Sequence, residues 1–364
     1  MNYRLATLLE KEAHTSDITK VIDLTLVDKV SQLSVIYEPM NGAVGAPTAH
    51  PAKCVSKIEL VDGSDVIFSL SGLEAQAVDW YHRKQEPSNV ILYLDGNASE
   101  MVYNINFGRF LYDPLFAFDP QKFRNPQIKI TLDIDAGGIS VASGYLTVLA
   151  YIFDEKVITP SGFLMHKEIK DYALAASAHE YTDLPVDNVY RKIFARIQKY
   201  GTGPDYCFDT VKLSEDNDKR IPFNHSISQI LKAITGQMQP YKEMIVGNGS
   251  SASQYFYCTP GYWPVFAASQ WRAAIGGGEL AFYEGDGGRF KQIQTGAGPN
   301  WQAICQGWCP HSTICLEFGD QSNPEDWYDV SKVKNLKLDI KSASGMSSSE
   351  SCQIFMQQLR KYAA

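Results

Sequence analysis

The chain reads as an all-β protein built from two tandem copies of one sandwich. Three observations carry this. Short segments of strand-forming residues recur between turn residues, a hairpin-and-helix phrase is written twice, and a corner phrase is written twice in the same order.

The strand signals come first. Residues 54–60 alternate as CVSKIEL, 89–94 read NVILYL, 128–134 read IKITLDI, and 144–153 form a near-continuous β-type run, each bounded by Gly, Pro, Asn or Asp. Short strands at this spacing predict sandwiches or barrels. Helical periodicity is rare. After Ser71 and Gly72, Leu73, Ala77, Trp80 and Tyr81 share one helical face, and after Asn224 so do Ile227, Ile230, Leu231 and Ile234.

The stretches before the two helices match. Residues 58–68 (IELVDGSDVIF) align with 211–221 (VKLSEDNDKRI), apolar on apolar and turn on turn, which sets Asp65 against Asp218 at an offset of 153 residues. A second pair follows in order: Asp119, Lys122 and Asn125 match Asp329, Lys332 and Asn335 at an offset of 210. Repeats of this size are duplicated domains, because solenoid units recur every ~20 to 50 residues. At each corner the Asp is placed to accept from backbone N–H groups two or three residues on, and Asn125-Pro126 forces an extended approach to the next strand. Asp65, Asp119, Asn125, Pro126, Asp218, Asp329 and Asn335 are therefore expected to be structural turn residues, not catalytic ones.

Between the two phrases the second copy is far longer than the first, 111 residues against 54. The surplus falls within 240–310, which holds Trp263, Trp271, Trp301 and Trp308 and predicts a folded surface excursion. The expected organisation is an N-terminal arm over 1–15, a first domain over 16–155 and a helix-containing linker over 156–185, with its helix at 163–174. A second domain follows over 186–345, carrying the 240–310 tower, and then a C-terminal arm over 346–364. The arm at 2–13 is expected to be helical, with Leu5, Leu8 and Leu9 on one side.

At 364 residues two domains are comfortable, and 45% hydrophobic with 20% charged residues is a folded composition. A net charge of −8 without basic runs argues against nucleic-acid binding. No long apolar run and no leader pattern is visible, so synthesis in a cytoplasm is expected, with the seven cysteines reduced. For the same reason the acceptor patterns at Asn97 and Asn248 are not expected to be glycosylated.

With the repeat established, the chain resembles the double jelly-roll major capsid proteins of tailless icosahedral viruses that carry an internal membrane. Five stretches in order carry the likeness: 58–73 (IELVDGSDVIFSLSGL), 107–134 (FGRFLYDPLFAFDPQKFRNPQIKITLDI), 153–172 (FDEKVITPSGFLMHKEIKDY), 184–197 (LPVDNVYRKIFARI) and 211–223 (VKLSEDNDKRIPF). It is good over residues 58–223 and weaker beyond. The resemblance implies two tandem eight-stranded antiparallel jelly rolls and a homotrimer of pseudo-hexameric outline that tiles the shell of a virion. It also implies contacts with neighbouring trimers and with penton and minor capsid proteins, and an inward-facing N-terminal arm able to meet the membrane. Interfaces burying more than about 2,000 Å² are expected of such an obligate assembly. No cofactor and no enzymatic activity are expected.

Other chemistry is weak. Cys305, Cys309, His311 and Cys315 form the one metal-like cluster, with spacing irregular for zinc. Asp133-x-Asp135-x-Gly137 lacks the closing Glu of a calcium loop, and Asp216 with Asp218 fails similarly. Gly276-Gly277-Gly278 lacks the Lys-Ser/Thr of a phosphate loop. Glu279, Glu284 and Asp286, with the four tryptophans, support an alternative, a carbohydrate-binding or carbohydrate-cleaving double β-sandwich.

Overall fold

The computed structural model describes residues 1–42, 46–248, 253–270, 280–283, 285–294 and 300–362. In chain order the first half places β1 (Tyr3–His14), β2 (Ile18–Asp23), β3 (Val30–Met40), β4 (Val55–Asp62), β5 (Asp65–Leu70), α1 (Gly72–Arg83), β6 (Ile91–Tyr93), β7 (Met101–Asn106), β8 (Pro126–Leu132) and β9 (Ser143–Phe153). The second places β10 (Gly162–Ala173), β11 (His179–Leu184), β12 (Val189–Ile197), β13 (Phe208–Glu215), β14 (Arg220–Ser226) and α2 (Ile227–Gln237). It continues through β15 (Tyr241–Gly247), β16 (Gln254–Tyr257), β17 (Pro260–Gln270), β18 (Leu280–Tyr283), β19 (Arg289–Gln294), β20 (Trp301–Pro310), β21 (Thr313–Glu317), β22 (Leu336–Ser342) and β23 (Ser351–Lys361).

Burial alternates residue by residue along β8 and β22, as a half-buried strand requires, with Ile128, Ile130 and Leu132 of the one and Leu336, Leu338 and Ile340 of the other turned inward. The first sandwich pairs its strands as β1-β9-β3-β7 and β2-β8-β4-β5; the second as β10-β23-β12-β21 and β11-β22-β13-β14. Position for position, the two orders are the same. The repeat extends to length: β1 and β10 have 12 residues each, β8 and β22 have 7, and β9 and β23 have 11.

The sandwiches are not beads on a string. β5 pairs in parallel with β10, Phe68 opposite His166 and Ser69 opposite Lys167, so one sheet of the first and one of the second merge into a single eight-stranded sheet. One apolar cluster accordingly runs from Leu33 and Ile58 through Trp80 to Phe194 and Phe355.

Both helices follow their hairpins as the repeat requires. Ser71 starts α1: its N–H donates to Glu74 Oε2 (2.7 Å) and its Oγ accepts from Glu74 N (3.3 Å), a reciprocal cap. At α2, Gln229 Oε1 accepts from Ser226 N (3.1 Å).

Four expectations are overturned. Residues 3–14 are strand β1, paired antiparallel to β9, not a helical arm; bulges between Thr7 and Leu9 and between Leu9 and Glu12 make the spacing of Leu5, Leu8 and Leu9 imitate a helix. All but the last residue of the expected helix 163–174 lies in β10, held by β23 on one edge and β5 on the other, so the linker helix is absent and tertiary pairing outweighs local propensity. Residues 351–361 are no arm either: β23 lies between β10 and β12, inside the merged sheet. The segment 156–185 thus contributes strands to the second sandwich instead of bridging two domains.

The described part of the 240–310 excursion is sheet. β17-β20-β15-β6 form one four-stranded sheet, with β6 supplied by the segment between α1 and β7, and β16-β19-β18 form a smaller one. Trp271, Glu279, Glu284 and Gly276-Gly277-Gly278 lie outside the described residues.

Candidate functional site

At the first corner, Asp119 Oδ1 accepts from Gln121 N (3.2 Å), and its other oxygen lies 3.7 Å from Lys29 Nζ. At the second, Asp329 Oδ1 accepts from Ser331 N (2.9 Å), and that backbone bond leads the causes holding its carboxyl below the usual range. Each is a local turn closed by its own backbone.

The corners are clamped from the facing hairpins by acids the sequence alignment did not single out. Asp62 accepts from Arg124 N (3.1 Å) and Asn125 N (2.7 Å); Asp216 Oδ1 accepts from Lys334 N and Asn335 N (3.0 Å each). Pro126 opens β8 opposite Asp62, and its carbonyl accepts from Leu24 N (2.8 Å). The aligned pair Asp65 and Asp218 does two unlike things. Asp65 Oδ2 takes Arg360 Nη2 at 2.6 Å, whereas Asp218 takes Lys212 Nζ (2.8 Å) and Ser214 Oγ (2.6 Å) inside its own hairpin. The cause is turn length. β4 and β5 close through Gly63, at φ 60°, and Ser64, while β13 and β14 close through four residues with Asp216, Asn217 and Asp218 at positive φ.

The metal-like residues are not brought together. Cys305 lies beside Cys258, Cys309 beside Tyr81 and Cys315 near Lys192, while His311 Nε2 donates to Gln76 Oε1 (3.0 Å). Among the described residues no three His, Cys, Asp or Glu side chains converge as a metal would need. Of the three described tryptophans of the excursion, Trp301 is fully buried, while Trp263, 65% exposed, and Trp308, whose Nε1 donates to Met238 O (3.0 Å), share a shallow cleft with Pro264, Val265, Gly285 and Asp286. Among the described residues no helix is long and apolar enough to cross a membrane.

The polar chemistry of the molecule concentrates where the sandwiches meet. α1 is buried from Gly72 through His82 because the second sandwich covers it. Arg191 Nη1 donates to His82 Nδ1 (2.8 Å); Gln357 Nε2 donates to His82 Nδ1 (3.1 Å) and to His166 Nε2 (2.7 Å). Both imidazoles accept and are neutral. Burial, then the Arg191 charge, pushes His82 well down and His166 to about 3. Lys192 Nζ reaches Tyr81 O (2.6 Å) and pairs with Glu317, and Tyr81 Oη donates to Thr313 O (2.8 Å). Burial also pushes Glu74 up to about 7, with Glu168 adding to it. The excursion is bound to the first sandwich in the same manner. Thr259 Oγ1 donates to Glu243 Oε2 (2.8 Å) and lies 3.1 Å from His50 Nε2, and burial raises Glu243 to about 7. This joint was missed in the sequence. The available signal was Gln357 and Gln358 inside an apolar strand, since a buried amide needs a partner from elsewhere.

Two sandwiches of identical strand order, joined edge to edge, decide the architecture. The chain is a double jelly roll. Solved structures share it over nearly their whole length. The crystal structure of the STIV MCP matches with 10% identity over 98% of this chain and 96% of that one, at a TM-score of 0.58. The major capsid protein P2 of bacteriophage PM2 matches with 11% identity over 99% and 98%, at 0.55. A chain of the Sulfolobus turreted icosahedral virus matches with 10% identity over 98% and 90%, at 0.60. No family model and no curated protein sequence matches. At such identities the shared property is the double jelly-roll fold.

Proposed function

We propose that this chain is a major capsid protein, a structural subunit three copies of which form a ring of six similar rolls that tiles an icosahedral viral shell. The observation that carries the reading is the duplication itself: two rolls of the same strand order, joined through β5 and β10 into one eight-stranded sheet. A duplicated roll lets a trimer present six near-equivalent corners, the shape that packs a shell between its five-fold vertices, and closed cyclic symmetry suits it. The solved double jelly rolls named above include a bacteriophage major capsid protein, which supports the same role. Neighbouring trimers, penton proteins and minor capsid proteins are the partners this role requires. The membrane contact expected of residues 1–15 is not carried over, because residues 3–14 are built into the first roll.

Electron microscopy of the purified protein tests the proposal. Particles with a hexagonal outline and three-fold symmetry are the expected images; elongated two-lobed single chains, together with release of sugars from a glycan panel, would replace it with the carbohydrate reading.

A further inference from the structure

The joint between the two rolls of the chain is asymmetric. It has a donor side, strand β5 with helix α1 of the first roll, and a receiving side, the β10-β23-β12 face of the second. Each side has a duplicate on the other roll, and both duplicates are open.

The burial patterns make the asymmetry plain. α1 is buried on every face, α2 only at Ile227, Ile230, Leu231 and Ile234. β23 is buried on both faces from Ile354 through Leu359, whereas β9 alternates, leaving Tyr145, Thr147, Leu149 and Tyr151 half-exposed over the buried Leu146, Val148, Ala150 and Ile152. The outward stripe of β9 is thus largely apolar; Lys11 Nζ lies over the Tyr145 ring (4.6 Å) and Tyr112 packs edge-on to Tyr151 (6.4 Å), with Thr147 and Leu149 half-exposed between them. β1 and β14, the duplicates of β10 and β5, are both edge strands of their sheets. Long unpaired edges are otherwise a liability in a soluble protein.

The open groove on α2 lies where the intrachain contact lies on α1. It has a volume of about 260 Å³ and is walled by Phe223, Ile230, Ala233, Ile234, Gln237 and Leu316 among others. Aligning the helix starts at Ser71 and Ser226 puts Phe223 at the place of Phe68 and Gln237 at the place of His82. The cross-strand pairs agree, Leu60 facing Phe68 as Leu213 faces Phe223. Phe68 packs on His166 with ring centroids 5.5 Å apart, and His82 takes Arg191 and Gln357. On the receiving side the register is equally fixed: Thr7 faces Leu149, which faces Ser34, as His166 faces Gln357, which faces Lys192.

We propose that β14 of one copy pairs in parallel with β1 of the next, Phe223 opposite Thr7, with α2 laid on the Leu149–Tyr151 face, so that each contact between chains repeats the contact within one. Pro222 lacks an N–H, so the ladder is confined to residues 223 and 224, as the intrachain one is confined to Phe68 and Ser69. Main-chain pairing fixes register while the apolar groove supplies burial, the usual division of labour in strand addition. The inference rests on the shell reading only for the number of copies that close the ring.

The test is the double variant Thr7→Cys with Phe223→Cys, assembled and then oxidised with oxidised glutathione. Neighbouring strands hold paired Cα atoms at roughly the separation a disulfide spans, ~4.4–6.8 Å. All seven native thiols are buried and do not compete. A covalent trimer on a non-reducing gel, absent from both single variants, is expected. A second variant, Ala233→Arg, puts a long cation on an exposed helix position inside the groove. It should abolish the trimer and leave the circular dichroism and unfolding midpoint of the separated chain within error of the parent. Trimers that form without the cross-link and tolerate Ala233→Arg would overturn this interface while leaving the shell reading intact; a parent protein that stays monomeric at all concentrations would overturn both.

Discussion

Replacing Trp301 by Ala should loosen the excursion between the two rolls' outer strands without unfolding the rolls. Trp301 opens β20 fully buried; its ring centroid lies 4.9 Å from Phe256, 5.2 Å from Phe282 and 5.9 Å from Phe290, and Nε1 donates to Asn248 O at 3.1 Å. Gly247 lies so close that a Cβ there would come within 2.3 Å of the indole, so the neighbourhood is shaped to this ring. Truncating a buried Trp or Phe to Ala removes its transfer energy and leaves a cavity, together about 3–5 kcal/mol. The excursion is tied to the first roll by the three-pair ladder of β6 with β15, by Tyr93 Oη donating to Tyr257 O (2.9 Å) and by Thr259 beside His50, whereas the ring partners of Trp301 named above lie within the excursion, so the loss falls there first. At about 1.4 kcal/mol per tenfold, its opening equilibrium rises by roughly 10²-fold or more, and proteolysis that samples the opened state accelerates in proportion. Limited proteolysis with mapped cut sites is the assay, with the exposed Trp263→Ala as the control, expected within about 0.5 kcal/mol of the parent. Equal cleavage of the two variants would refute the claim that the excursion has its own aromatic core.

At the first corner, Asp119→Ala should cost about 1 kcal/mol in urea titration, the worth of a lost backbone cap. Asp62→Ala, which strips acceptors from Arg124 and Asn125, should lower the midpoint further than Asp65→Ala, whose half-exposed pair with Arg360 is worth under about 1 kcal/mol. On the pH axis two sets oppose each other. His50 and His166 are depressed from 6.5 to about 3, so their contribution is whole above 6.5 and is lost as pH falls toward 3. Glu243 is raised from 4.5 to about 7, so its contribution is whole below 4.5 and is lost as pH rises through 7. Glu243→Gln should therefore flatten the decline in stability between pH 5 and pH 8 by on the order of 2 kcal/mol, read from urea melts at both values. Burial also raises the thiols of Cys54, Cys309 and Cys352 to about 12, so Ellman's reagent should find no reactive thiol in the folded chain and seven in guanidinium.

Local chemistry was legible in the sequence and distant pairing was not. The helices after Ser71 and Ser226 were readable because each is announced by its own cap and a 3.6-residue apolar stripe. The Asp119 and Asp329 turns were readable because an Asx turn needs only its own two following residues. β1 and β10 were misread because their strand identity comes from β9 and β23, more than a hundred residues away, while their local spacing suits a helix. The alignment also matched Asp65 to Asp218 although the acids that do the same work are Asp62 and Asp216. Two extra residues in the second hairpin shift the register, and only the facing corner reveals which carboxylate clamps it. The joint around His82, Arg191 and Gln357 joins three distant segments through side chains that a linear reading has no reason to group.

The most direct test of the central claim is the native mass of the purified chain across a range of micromolar concentrations. The proposed capsid trimer predicts three times 40.6 kDa. A mass that stays at one chain throughout, or settles at two or four, contradicts it.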